Sequence, residues 1–233
     1  MRHGLSAGEK LPEALKSAWT KTTGTLVHEA FGMSECSTFI SGSPARPAPR
    51  GASGFAQPGR RVAIVDSGVP VARGTVGTIA IDRHDAGLML GYLDAAAETA
   101  AKFDSDWFLT GDLGIMDAAG AITYAGRADD MMNAGGFRVS PIEVETALTT
   151  HPAITETAAA QVQVKPDVYV IAAFYVSTDV IEDADLAAFC AQTLAGYKCP
   201  RLFVRVDHLP RGANNKLLRR VLRQDWEAAH GQT

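Results

Sequence analysis

The sequence predicts a mixed α/β (α+β) fold in two units that meet near Ala128. Up to Arg127, β-branched runs are separated by glycine- and proline-rich turn signals. After Ala128 the element order becomes α-β-β-α-β-α, which suits a small sheet covered by helices. The 233 residues, 46% hydrophobic and 21% charged, are enough for one or two cored domains.

Each element follows from local chemistry. Leu11, Leu15 and Trp19 recur every fourth residue beside Pro12, which predicts a short amphipathic helix over 12–20. The segment "GTLVHEAFG" reads as a buried strand running into a loop, and "SGSPARPAPRGASGFAQPG", Ser41 to Gly59, reads by composition alone as a linker. The runs "RRVAIVD" and "GTVGTIAI" form an antiparallel pattern about the turn "SGVPVARG". A helical "AAAETAAKF" precedes "DWFLTGDLGIMDAAGAITYAGR", where two strands flank "DAAG".

In the second unit, "SPIEVETALTT" opens a helix with Ser140 as N-cap, Pro141 at the first position and Glu143 at the third, a capping-box pattern. Two β-branched runs, "AAAQVQV" and "VYVIAAFYV", precede the amphipathic "EDADLAAFCAQTLA", the strand "LFVRV" and a basic helix from Leu217. Met131 and Met132 read as core packing.

A net charge of -4 gives no general attraction to nucleic acid or an anionic membrane. Cys36, Cys190 and Cys199 form no CxxC pair, which argues against a disulfide framework or a cysteine zinc site and for a reducing cytoplasm. No segment approaches the ~18 consecutive apolar residues of a membrane span, and the first residues lack a signal-peptide stretch, so a soluble cytoplasmic protein is expected.

Four places can carry chemistry. In "TGD", Asp112 offers two carboxylate oxygens to a ribose diol, although a turn aspartate reads the same way. Arg127 can fork onto hydroxyls or phosphate, and a buried Arg127–Asp112 ion pair is the equal alternative. "HEAFGMSEC" supplies the Phe31 ring, a close backbone approach at Gly32, the Ser34 hydroxyl and the metal-seeking carboxylate of Glu35, or else a plain strand-to-loop junction. Lys216, in "LPRGANNK", is a flexible cation able to neutralise a phosphoryl group.

In order and spacing, "SAGEKLP", "FGMSE", "GYLD", "FLTGD", "GRADDMMNAGGFRVSPIEVE", "YKCPR" and "LPRGANNK" resemble the later motifs of the adenylate-forming superfamily, nearest to its acid-CoA ligases. The likeness implies the rear of a large AMP-binding domain, residues 1–127, including a β-barrel-like subdomain, followed by a mobile α+β lid, residues 128–233. "RGASGFAQPG" is similar to a family segment, which replaces the linker reading of Ser41 to Gly59 with a loop inside the N-terminal body. It implies ATP or AMP, Mg²⁺ and coenzyme A as cofactors, and adenylation of a carboxylic acid followed by its transfer to CoA.

By the same resemblance, Gly8, Glu9, Phe31, Gly32, Met33 and Ser34 line the adenine and α-phosphate, with Phe31 in place of the family's usual tyrosine. Glu35 helps to hold Mg²⁺, Asp112 and Arg127 hold the ribose, and Lys216 is the catalytic lysine. Asp129 is the hinge, and Gly135 and Gly136 lie along the pantetheine channel. The family's phosphate loop is not found in the 233 residues, and "KTTGT" at Lys21 to Thr25 reads instead as a helix-to-strand turn. A truncated chain is therefore expected, with the missing N-terminal half as a partner and self-association left open. A catalytically silent binding remnant and an acyl transferase to carrier-protein phosphopantetheine are the alternatives. Asn215 replaces a glycine before the lysine, and asparagine is among the residues best suited to a positive φ there.

Overall fold

The computed structural model describes residues 2–8, 11, 13–213 and 215–230. The chain divides into two compact units, Met1–Ala128 and Asp129–Thr233.

The first unit comprises β1 (Gly4–Ala7), α1 (Glu13–Thr23), β2 (Val27–Met33), β3 (Ser37–Ser41), β4 (Gly54–Ala56), β5 (Val62–Asp66), β6 (Val69–Pro70), β7 (Val76–Asp82), α2 (Ala96–Ala100), β8 (Phe103–Asp104), β9 (Trp107–Met116) and β10 (Ala121–Arg127). One sheet runs β1-β2-β3-β4-β10-β9-β7-β5-β6, with β8 paired to β9 off that path. Within this sheet, among the described pairs, only β1 and β2 are parallel. The path has two ends, and among the described residues no pairing closes it into a barrel.

The core of this sheet contains Phe39, Ile40, Ile64, Ile79, Ile81, Phe108 and Ile122, all supplied by strands. Helix α1 runs to Thr23, and Gly24, at φ 67°, ends it. That is the left-handed residue a helix C-terminus favours, so "KTTGT" does turn helix into strand.

The composition of Ser41 to Gly59 misleads in one respect. The segment contains β4, which bridges β3 and β10. Gly54 belongs there because a methyl group would lie 2.2 Å from the Ser41 carbonyl carbon. The glycine serves close backbone packing.

The second unit comprises β11 (Met132–Ala134), β12 (Phe137–Val139), α3 (Pro141–Leu148), β13 (Glu156–Lys165), β14 (Val168–Val176), α4 (Asp183–Ala191), β15 (Leu202–Arg205) and α5 (Arg219–His230). β13 and β14 are antiparallel, and β15 adds parallel to β14. Along β14, Ile171, Ala173 and Tyr175 join one core with Val144 and Leu148 of α3 and Leu186 of α4. The alternate residues Ala172 and Phe174 join a second core with Leu222 and Trp226 of α5. Both faces are covered, which is why this strand is continuously apolar where a half-exposed one would alternate. Met132, 1% exposed, belongs to the first of these cores.

The capping box expected at Ser140 is not closed. Ser140 occupies the N-cap position without a side-chain capping bond. Glu143 instead accepts a 2.6 Å hydrogen bond from Lys198 Nζ. That bond holds the Lys198 pKa above its ordinary value. No helix among the described residues is long and apolar enough to cross a membrane.

Candidate active site

Asp112 and Arg127 are direct cross-strand partners on β9 and β10. Arg127 Nη1 lies 3.6 Å from Asp112 Oδ1, with the Asp112 side chain 12% exposed and that of Arg127 41%. The pair is therefore half open: the carboxylate is sunk in the sheet and the guanidinium faces outward. Thr110 sets the bend between them. Its hydroxyl donates to the Ile79 carbonyl at 2.7 Å and accepts the Asp112 amide at 3.1 Å. Gly111, at φ 79°, lets the chain turn where a side chain would press on the Arg127 guanidinium at 3.2 Å.

Phe31, on β2, packs edge-on against Phe39 with centroids 5.5 Å apart and tilts against Tyr124 at 5.4 Å. Tyr124 lies on β10, three residues before Arg127, so one ring of this aromatic pair stands on the strand that carries the guanidinium. Sequence reading missed Tyr124, because its partner comes from a distant segment. The parallel register pairs Ala7 with Ala30, so Gly8 follows at the level of Phe31, with φ 102°. Glu9 lies outside the described residues.

Met33 closes β2 and accepts the Cys36 amide at 3.1 Å, forming a tight turn with Ser34 exposed at its surface. Three contacts fix this turn. Tyr92 Oη donates to Glu35 Oε1 at 2.7 Å, and the Met89 amide donates to the Glu35 carbonyl at 2.7 Å. Arg60 donates to the Cys36 carbonyl while pairing with Asp85 at 2.7 Å. The bond to Glu35 pushes the Tyr92 phenol above its ordinary pKa. Tyr92 is a second residue missed as a site candidate, although it sits in the quoted "GYLD".

Gly32 stands at the β2–β3 bulge, where the register shifts between Phe31 and Gly32. A methyl group there would lie 2.3 Å from the Ser37 carbonyl oxygen and 2.6 Å from Thr38 Cα, both backbone atoms. Gly32→Ala is expected to force β3 outward and cost about 1–3 kcal/mol by displacing Phe31 and the Glu35 turn. Urea unfolding checks this. An unchanged unfolding midpoint would show that the bulge is not packed as described.

In the second unit, Gly135 and Gly136 form the two-residue turn of the β11–β12 hairpin, with φ 60° and 93°. Two positive φ values define the tight hairpin turn that glycine favours. Nothing lies within 4 Å of where either side chain would project. Asn133 Oδ1 accepts the Gly136 amide at 2.9 Å and locks the turn.

Lys216 sits near the tip of another hairpin. The Gly212 amide donates to the Lys216 carbonyl at 2.8 Å, and the Leu218 amide donates to the Pro210 carbonyl at 2.9 Å. Asn215 has φ 65°, the left-handed conformation that the glycine of the resembling family implies at this place. Arg211 donates to the Asn215 carbonyl at 3.0 Å and to Glu156 at 2.7 Å, anchoring the hairpin to the start of β13. Lys216 is exposed, and Asp129 is the residue at which the second unit begins.

Among the described residues, no group of three or more His, Cys, Asp or Glu side chains is placed to hold a metal ion. Glu35 can supply one carboxylate ligand, the remaining ligands coming from phosphate oxygens or water, as hard cations such as Mg²⁺ accept.

Residues 1–93 match the model of AMP-binding enzymes, and residues 143–216 match that of the AMP-binding enzyme C-terminal domain. The chain belongs to the adenylate-forming family of AMP-binding enzymes, among its acid-CoA ligases. It is 34% identical over 241 residues to the mitochondrial acyl-coenzyme A synthetase ACSM5 of Rattus norvegicus, covering 97% of this chain and 41% of the relative. It is 33% identical to the benzoate--CoA ligase of Thauera aromatica, covering 96% of this chain and 43% of that one. The solved anthranilate CoA ligase AuaEII in complex with anthranoyl-AMP superposes with a TM-score of 0.86 at 32% identity, over 100% of this chain and 46% of that chain. The o-succinylbenzoate coenzyme A synthetase of Bacillus subtilis in complex with ATP and magnesium superposes at 0.80 with 29% identity, over 93% and 45%. The chain thus spans less than half the length of these relatives.

Proposed function

We propose that this chain is the C-terminal portion of an ATP-dependent acid-CoA ligase, which joins a carboxylic acid to AMP and then passes the acyl group to CoA. The half-open Asp112–Arg127 pair beside the Phe31–Tyr124 aromatic pair is the observation that carries this reading. Asp112 accepts the ribose hydroxyls and Arg127 donates to them, while Phe31 and Tyr124 offer the apolar face for adenine. Gly8, Glu9, Gly32, Met33 and Ser34 line the adenine and the α-phosphate, the glycines permitting close backbone approach. Glu35, held by Tyr92, supplies one oxygen toward Mg²⁺, which when bound neutralises phosphate charge.

Lys216 steadies the carboxylate and α-phosphate during adenylation. Residues 128–233 act as the mobile lid, Asp129 as the pivot, and the Gly135–Gly136 turn lines the pantetheine path, where absent side chains permit close approach. The rest of the ligase supplies the phosphate loop and most of the acyl pocket. The exposure of Leu5, Leu15 and Leu26, beside the terminal strand β1, fits an apolar partner surface. The three free thiols fit a reducing, cytoplasmic setting.

Calorimetry with AMP tests the nucleotide grip on this chain alone. Asp112→Ala is expected to weaken AMP roughly tenfold or more, the loss of charge-assisted hydrogen bonds to the ribose. Equal affinity for the wild type and the variant would overturn the assignment.

A further inference from the structure

We infer that Arg219 is a positioning residue that couples the opening residues of the second unit to the hairpin carrying Lys216, an inference that takes its functional meaning from the roles proposed above for Lys216 and Asp129. Arg219 is the first residue of α5, three positions after Lys216. Its side chain is 20% exposed and grips Glu145 with two parallel bonds, Nε to Oε1 at 2.9 Å and Nη2 to Oε2 at 2.7 Å. The remaining nitrogen, Nη1, donates to Asp130 Oδ2 at 3.3 Å, across 89 residues of chain.

Asp130 directly follows the residue at which the second unit begins. Glu145, on α3, also accepts the Ala159 amide of β13 at 2.9 Å. One planar guanidinium therefore fastens the start of α5 to α3 and to residue 130, while Glu145 pins α3 to β13. On the other side of the hairpin, Arg211 holds Glu156. The Lys216 hairpin is thus clamped from both flanks, and the Arg219 flank leads to the pivot.

The geometry requires arginine. A lysine keeps the charge, but its single ammonium cannot hold both Glu145 oxygens in a fork and reach Asp130 as well. A backbone change at Asp129 moves the Asp130 carboxylate, and the rigid fork passes that displacement to the segment leading back to Lys216. In this way lid rotation and lysine placement become one coordinated event.

Hydrogen–deuterium exchange on the chain as it stands tests the coupling without nucleotide or turnover. Asp130→Asn is expected to speed exchange of the Gly212 and Leu218 amides roughly tenfold, the loss of one charge-assisted hydrogen bond, with the overall melting temperature unchanged. Asp130→Glu should restore protection, and Arg219→Lys, which also gives up the fork on Glu145, should speed the same amides at least as much. General loosening would instead raise exchange across β13 and β14 in step with lost stability. Hairpin amides within about twofold of wild type in Asp130→Asn, or no restoration by Asp130→Glu, overturn the coupling. That outcome leaves the catalytic role of Lys216 standing, because its own test is loss of pyrophosphate release.

Discussion

Lys216→Ala is expected to lower carboxylate-dependent pyrophosphate release by roughly 100-fold to 1000-fold, the scale set by removing one preorganised group that faces developing charge. The backbone around Lys216 supports so large an effect. The hairpin is closed by the Gly212–Lys216 and Pro210–Leu218 hydrogen bonds, and Asn215 holds its positive φ, so the exposed Lys216 stands on a fixed backbone. A compact ammonium on a flexible stem approaches a crowded phosphoryl group as a point charge, which a broader guanidinium does less well. Lys216→Arg should therefore recover only part of the rate. The measurement uses the chain supplied with the N-terminal half of a related ligase, and follows pyrophosphate as the acid is added. AMP affinity should stay within about twofold, because the proposed ribose and adenine contacts lie on the first unit. Undiminished release in Lys216→Ala would remove Lys216 from the reaction.

Phe108→Ala is expected to destabilise the first unit by about 3–5 kcal/mol, the cost of a large buried aromatic replaced by a methyl group. Phe108 is 0% exposed in the core of the large sheet and meets Phe103 edge-on at 5.4 Å. It pairs across the strands with Ile81 and stands two residues before Thr110, whose hydroxyl ties β9 to the Ile79 carbonyl. The lost ring leaves a cavity in the core of the strand that carries Thr110 and Asp112. Exchange protection should fall throughout β7, β9 and β10 and remain in β13 and β14, whose cores contain residues of the second unit alone. Equal loss in both units would show that they unfold as one.

Much of the local structure was legible in the sequence. The strand pair around "DAAG" and the helix at Pro141 both follow from short-range sterics and periodicity. The positive φ of Asn215, 65°, was legible only through the family resemblance, which places a glycine there, and asparagine is among the few side chains that tolerate it. Composition alone makes the Ser41–Gly59 tract a linker, and the resemblance of "RGASGFAQPG" to a family segment makes it a loop within the first unit; glycine marks both flexible chain and close backbone packing. Only the pairing of β4 distinguishes the two. Glu143 had the right spacing for a cap, yet a lysine from a distant turn competed for it.

The order of the motifs, the identity of the charged and aromatic residues, and the conformations of the tightest turns were fixed by the amino-acid sequence alone, because these depend on neighbours a few bonds away. Which groups meet was decided by the tertiary structure: Phe31 with Tyr124, Tyr92 with Glu35, and Arg219 with both Glu145 and Asp130. Such meetings depend on strand register and on which helix covers which sheet face. Those are settled by burying apolar surface across the whole unit, and no spacing along the chain records them.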